Sequence, residues 1–103
     1  MRTKTLLLLA LVAPGALASD HLVLLKNKAF VPEILNIKVG DSVNFRNEDV
    51  FEHSVSSESE AKKFDLDTLP NGETRKVTFD QPGKVEVDCG HHSAMHLTIE
   101  VSR

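Results

Sequence analysis

From residue 19 to its end the chain repeats every two residues, and no stretch carries the 3.6-residue period of a long helix. Apolar side chains alternate with polar ones over short runs closed by turn residues, the pattern of half-buried strands. Leu22, Val23, Leu24 and Leu25 open the series as a nearly continuous apolar stretch within His21–Lys26. Leu35, Ile37 and Val39 share one face, Gly40-Asp41 turns the chain, and Val43 and Phe45 resume. Phe64 and Leu66 alternate with Asp65 and Asp67 ahead of Leu69-Pro70-Asn71-Gly72, a strong turn signal. Val77 and Phe79 lead into Asp80-Gln81-Pro82-Gly83, Val85, Val87 and Cys89 alternate with Glu86 and Asp88, and Leu97, Ile99 and Val101 finish the chain. Strands apolar on one face bury that face against another sheet. The expectation is an all-β domain, a two-sheet Greek-key β-sandwich of about seven strands. Ser56–Lys63, dominated by Ser, Glu and Lys, reads as a solvated loop with at most a helical turn.

Residues 1–18 are of another kind. Arg2 and Lys4 precede the unbroken apolar run Leu6–Val12, and Pro14-Gly15 breaks any helix before Ala16-Leu17-Ala18. A charged start, a short apolar stretch and a small-x-small ending make a secretory signal, with cleavage expected after Ala18 and a single domain over 19–103. The run is well short of the ~20 residues a spanning helix needs, so no membrane span is expected. No Cys follows the leader, which argues against a lipid anchor. The expected location is the periplasm.

A domain this small has a thin core, and a metal or a disulfide commonly supplements it. Cys89 is the only cysteine, so an intramolecular disulfide is excluded and the thiol is either free or a ligand. The chain has 12 Lys and Arg against 15 Asp and Glu, and Arg2 and Lys4 leave with the leader. An acidic domain does not suit nucleic acid, whose phosphates want a basic patch.

The histidines are unevenly placed. His91, His92 and His96 crowd around Cys89 and Met95, while His53 stands apart after Asn47-Glu48-Asp49-Val50-Phe51-Glu52. Cys89, His92 and Met95 follow one another at intervals of three, between the last two expected strands. Such a loop can curl around an ion if a fourth ligand arrives from elsewhere, and His53 is the obvious donor. Two imidazoles, a thiolate and a thioether suit copper, because a trigonal two-His, one-Cys arrangement with a weak axial Met is the blue-copper site. Singly, each residue has a plainer reading: Cys89 as a small buried hydrophobe, Met95 as core, His53 as a surface histidine. His21, His91 and His96 read as solvent-exposed, with His91 adjacent to the ligand set.

The chain resembles the cupredoxins, nearest to the small group of amicyanin, plastocyanin and pseudoazurin. The resemblance runs from about Phe30 to Val101 and rests on Phe30-Val31-Pro32, Ile37-Lys38-Val39-Gly40-Asp41-Ser42-Val43, Asn47 ahead of His53-Ser54-Val55, the Pro82-Gly83 turn, and Cys89 through Met95. It implies one type 1 copper ion bound by His53, Cys89, His92 and Met95. The short Cys-x-x-His-x-x-Met spacing is amicyanin-like. Three positions depart from the pattern, Val87 two before the Cys, His91 between Cys and His, and Ser54 after the first His; none removes a ligand.

The resemblance further implies a one-electron carrier rather than an enzyme. Its partner would be a redox protein such as a c-type cytochrome, an oxidase or a dehydrogenase, and the carrier itself a monomer. His92 would be the electron's exit, within a patch drawn from Val50, Phe51, Pro70 and Ala94. N–H groups of His91 and of Ser54 or its neighbour are the expected donors to the thiolate sulfur. The alternatives are a copper carrier or scavenger, kept open by His21, His91 and His96, and a zinc-binding structural domain on His53, Cys89 and His92 that leaves Met95 without a role.

Overall fold

The computed structural model describes residues 17–103; the first 16, which hold most of the expected leader, lie outside the described residues. Among the described residues the two-residue period becomes nine strands: β1 Asp20–Lys26, β2 Ala29–Val31, β3 Ile34–Lys38, β4 Ser42–Asn47, β5 His53–Ser59, β6 Lys62–Leu69, β7 Thr74–Thr78, β8 Gly83–Cys89 and β9 His92–Ser102. Five of them form one sheet in the order β3-β9-β8-β5-β6, and four form the other in the order β2-β1-β4-β7. The pairings β1–β4 and β3–β9 are parallel, and the remainder are antiparallel. Val23, Leu25, Phe30, Phe45, Phe79, Val85, Val87, Leu97 and Ile99 fill the space between the sheets. The expected sandwich is thus found.

Two strands exceed the expected number. The stretch Ser56–Lys63, read from sequence as a solvated loop, is a hairpin, with Ser57 facing Phe64 and Ser59 facing Lys62 across β5 and β6. Its inward side is carried by Val55 and Ser57, and a buried serine leaves no apolar trace; Ser57 Oγ accepts the Ser59 N–H at 3.1 Å. Strand β2 has only three residues, too few to show a period.

The topology brings distant residues to one end of the sandwich. Strands β5 and β8 are antiparallel neighbours, so the first residue of β5, His53, lies beside the last of β8, Cys89. Cys89 continues the buried row of Val85 and Val87, so the alternation that fills the core also turns the thiol inward.

At the β3–β4 turn a carboxylate organises the chain. Asp41 accepts hydrogen bonds from Ser19 N at 2.9 Å and Lys38 N at 3.0 Å, and pairs with His21 Nε2 at 2.9 Å. These bonds, that of His21 foremost, hold its carboxyl at about 2 instead of 3.8. A depressed folded-state pKa contributes stability that is present above 3.8 and lost as pH falls toward about 2. Asp41→Asn is therefore expected to destabilise the domain by ~1.5–3 kcal/mol at neutral pH. Denaturation at pH 7 and pH 2 checks this: the gap between variant and wild type should shrink at the lower pH.

Candidate metal centre

His53 is wholly buried, Cys89 is buried and His92 is half-buried. One ligand atom from each lies within 4.8 Å of the other two. Nδ1 of His53 is 3.7 Å from Cys89 Sγ, and Nδ1 of His92 is 3.9 Å from the same sulfur. The two imidazoles meet edge to face, with centroids 4.8 Å apart. Met95 is buried on β9, three residues past His92, across a break in the β8–β9 register between His92 and His96. That bulge lets residues 93 and 94 stay exposed while Met95 turns inward.

The way His53 is held decides which nitrogen is available. Its Nε2 lies 2.7 Å from Asp49 Oδ2. With the Nε2 proton donated to that carboxylate, Nδ1 keeps its lone pair toward Cys89 and His92. Burial pushes the Asp49 carboxyl up, but bonds from His53, Lys28 and Asn27 outweigh it and hold the group below its ordinary value. The Asn27 and Lys28 amides reach Asp49 at 2.7 and 3.0 Å. Both residues have positive φ, 56° and 59°, as the two-residue turn joining β1 to β2 requires. One carboxylate thus ties a strained turn to the imidazole of the site. Asn47 completes the frame: its Oδ1 accepts the Asp49 N–H at 2.8 Å, and its Nδ2 donates to Phe51 O and Leu69 O at 2.9 and 2.8 Å.

The sulfur has its own donor. Ser54 N–H points at Cys89 Sγ at 3.4 Å, which decides between Ser54 and its neighbour, the two candidates beside His53. The companion donor, His91, does not appear: among the described residues Ser54 provides the backbone hydrogen bond to this sulfur. Ser54 Oγ accepts the Gly90 N–H at 2.7 Å, binding the start of β5 to the turn after Cys89. A Cβ on Gly90 would stand 3.0 Å from that oxygen, so a larger residue there would have to shift the Ser54 hydroxyl by a few tenths of an ångström.

Partial burial, then the charges of His53, Lys28 and His91, push the His92 imidazole below its ordinary value, toward the neutral form that can ligate. The Phe51 ring lies 5.5 Å from His92 and 5.2 Å from His53, and its neighbour in sequence, Val50, is 88% exposed. His91 is exposed. His96 is also exposed but not free, because Asp88 and Glu86 grip its two nitrogens at 2.8 and 2.7 Å. His21 is engaged by Asp41 at the β3–β4 turn.

The three convergent donors, two imidazole nitrogens and one cysteine sulfur, fit a soft, redox-active ion, and Met95 is buried three residues past His92. Comparison with known proteins agrees. The sequence profile of the copper-binding proteins of the plastocyanin/azurin family matches residues 23–102, and the chain belongs to that family. Copper is its cofactor. Among solved structures, a copper-containing nitrite reductase from Thermus scotoductus SA-01 is 29% identical with a TM-score of 0.76, over 82% of this chain. The match spans 22% of the reductase chain. A Cu(I) form of an amicyanin variant superposes with a TM-score of 0.75 at 20% identity, covering 81% of this chain and 82% of that one. A purple cupredoxin from Nitrosopumilus maritimus gives 0.71 at 22% identity, covering 81% and 100%. No curated protein sequence matches. Cupredoxins are generally electron carriers rather than enzymes.

Proposed function

We propose that the protein is a periplasmic one-electron carrier whose single type 1 copper ion is held by His53, Cys89, His92 and Met95. The observation that carries this reading is the convergence of His53 Nδ1, Cys89 Sγ and His92 Nδ1 at the buried end of a rigid sandwich. Bound copper supplies the one-electron Cu(I)/Cu(II) couple. The protein's part is to keep the ligands still: His53 is fixed by Asp49, and Cys89 by its strand and by Ser54 N–H. Met95, buried on β9 three residues past His92, would supply the fourth ligand. His92, half-buried beside Phe51, is the route by which an electron leaves. The leader read over 1–18 supports export. The acidic balance of the domain suits a basic redox partner such as a c-type cytochrome, drawn in by long-range attraction.

Repeated reduction and reoxidation in the presence of a copper chelator tests the role. The carrier of electrons retains its ion through many cycles; loss of the ion to the chelator on reduction would identify a copper carrier instead. Electron transfer with a basic cytochrome should slow as salt is added.

Copper should also stabilise the fold. An ion that binds only the native state adds RT ln(1 + [L]/Kd), about 4 kcal/mol at a thousandfold excess over Kd. Melting curves with and without copper check it, and coincident curves would contradict it.

A further inference from the structure

We propose that cleavage after Ala18 creates a structural ion pair, the new α-ammonium of Ser19 docking on the buried carboxylate of Asp41, so that processing itself stabilises the domain. The inference rests on the export reading above and goes beyond it. The step is hydrolysis by an endopeptidase that cuts after small-x-small. One water is consumed: the Ala18–Ser19 C–N bond breaks, the water oxygen joins the new Ala18 carboxylate, and the Ser19 nitrogen keeps the electron pair of that bond and takes up both of the water's protons to become the ammonium.

Three observations converge on this nitrogen. Ser19 N already donates to Asp41 Oδ1 at 2.9 Å as an ordinary amide. Its carbonyl accepts Ser42 N–H at 3.0 Å, and the parallel β1–β4 ladder starts one residue later at Asp20 and Ser42. Leu17, in contrast, is 84% exposed, and Ala18 is exposed too, so the scissile bond lies on the outside of the fold. The cut therefore falls at the first residue the sandwich holds, and the nitrogen it frees is already seated.

Exposed ion pairs usually contribute little, because two flexible side chains must be immobilised and water screens them. Neither cost applies fully here. The Asp41 side chain is 6% exposed and is fixed by Lys38 N and His21 Nε2. The Ser19 nitrogen is backbone, placed by the ladder beside it. Ser19 is exposed, so the ammonium's other hydrogens stay hydrated. His21 shares Asp41 through the other oxygen, which leaves Oδ1 to the terminus.

The test compares two chains, one beginning at Ser19 and one at Leu17, each with Asp41 or Asp41→Asn. Every strand among the described residues lies between residues 20 and 102, so both chains hold all of them. At neutral pH the unfolding constant should be about tenfold smaller for the Ser19 chain, which is about 1.4 kcal/mol. Asp41→Asn should erase the difference. The Ser19 amine should titrate above the ordinary α-amino range of ~7.7–8.0, and the advantage should fade as pH rises through that value. Equal stability of the two chains, or a difference that survives Asp41→Asn, would overturn the pairing alone. Mass spectrometry of the exported protein separates the other failure. A terminus other than Ser19 overturns the pairing and leaves export standing, whereas an uncut chain that is not exported takes the export reading down with it.

Discussion

Cys89→Ser is expected to give a folded protein that stays colourless when Cu(II) is added. A serine hydroxyl is protonated at neutral pH and is not a soft anionic donor, so it cannot replace the thiolate. The exchange removes a sulfur from a position that is 2% exposed, and a buried hydroxyl there costs ~1–3 kcal/mol, which the sandwich should survive. Cys89 is the only thiol, so no other residue can substitute for it. Far-ultraviolet circular dichroism shows whether the variant folds, and the visible spectrum shows whether the site remains. An undiminished visible band would remove Cys89 from the ligand set.

Asp49→Ala should have the second-largest effect, on both stability and metal. It leaves the Asn27 and Lys28 amides and His53 Nε2 without their acceptor. Bonds to a charged group contribute ~1.5–3 kcal/mol each, and water can reach the vacated turn, so a net loss of about 3 kcal/mol is expected. Partners that orient a metal-binding imidazole typically matter by ~10–100-fold in affinity, and a weakening of that size is expected for copper. Asp49→Asn is the milder control, because its amide oxygen can still accept the His53 proton while the charge is lost. Chemical denaturation and competitive copper titration read the two effects separately. An Asp49→Ala protein with wild-type affinity would show that the imidazole is positioned by packing against Phe51 and not by the carboxylate.

These two residues also mark what sequence reasoning could and could not reach. Cys89, His92 and Met95 lie within one short segment, and their chemical types alone name a soft metal. His53 is marked less sharply, because His21 also opens an expected strand; its place after Asn47–Glu52 and the resemblance to the cupredoxins single it out. Asp49 gives no such signal. It is a polar loop residue whose partners at Asn27 and Lys28 lie 22 and 21 positions away, and no periodicity records a contact of that kind. The β5–β6 hairpin is hidden for a related reason: its inward positions include Ser57, so hydrophobic alternation fails where small polar residues are buried. The donor to the sulfur shows a third limit. Both Ser54 and His91 stand close to the thiolate in sequence or across the sheet, and only the strand pairing decides that the N–H of Ser54 faces it.

Cys89 Sγ and one nitrogen each of His53 and His92 converge within 4.8 Å of one another, an arrangement that suits copper. The most direct measurement is an absorption spectrum of the purified domain as Cu(II) is added stepwise. An intense visible thiolate-to-copper band that saturates at one equivalent is the predicted result. Copper that binds with only the weak visible absorption of a nitrogen- and oxygen-ligated ion would contradict it.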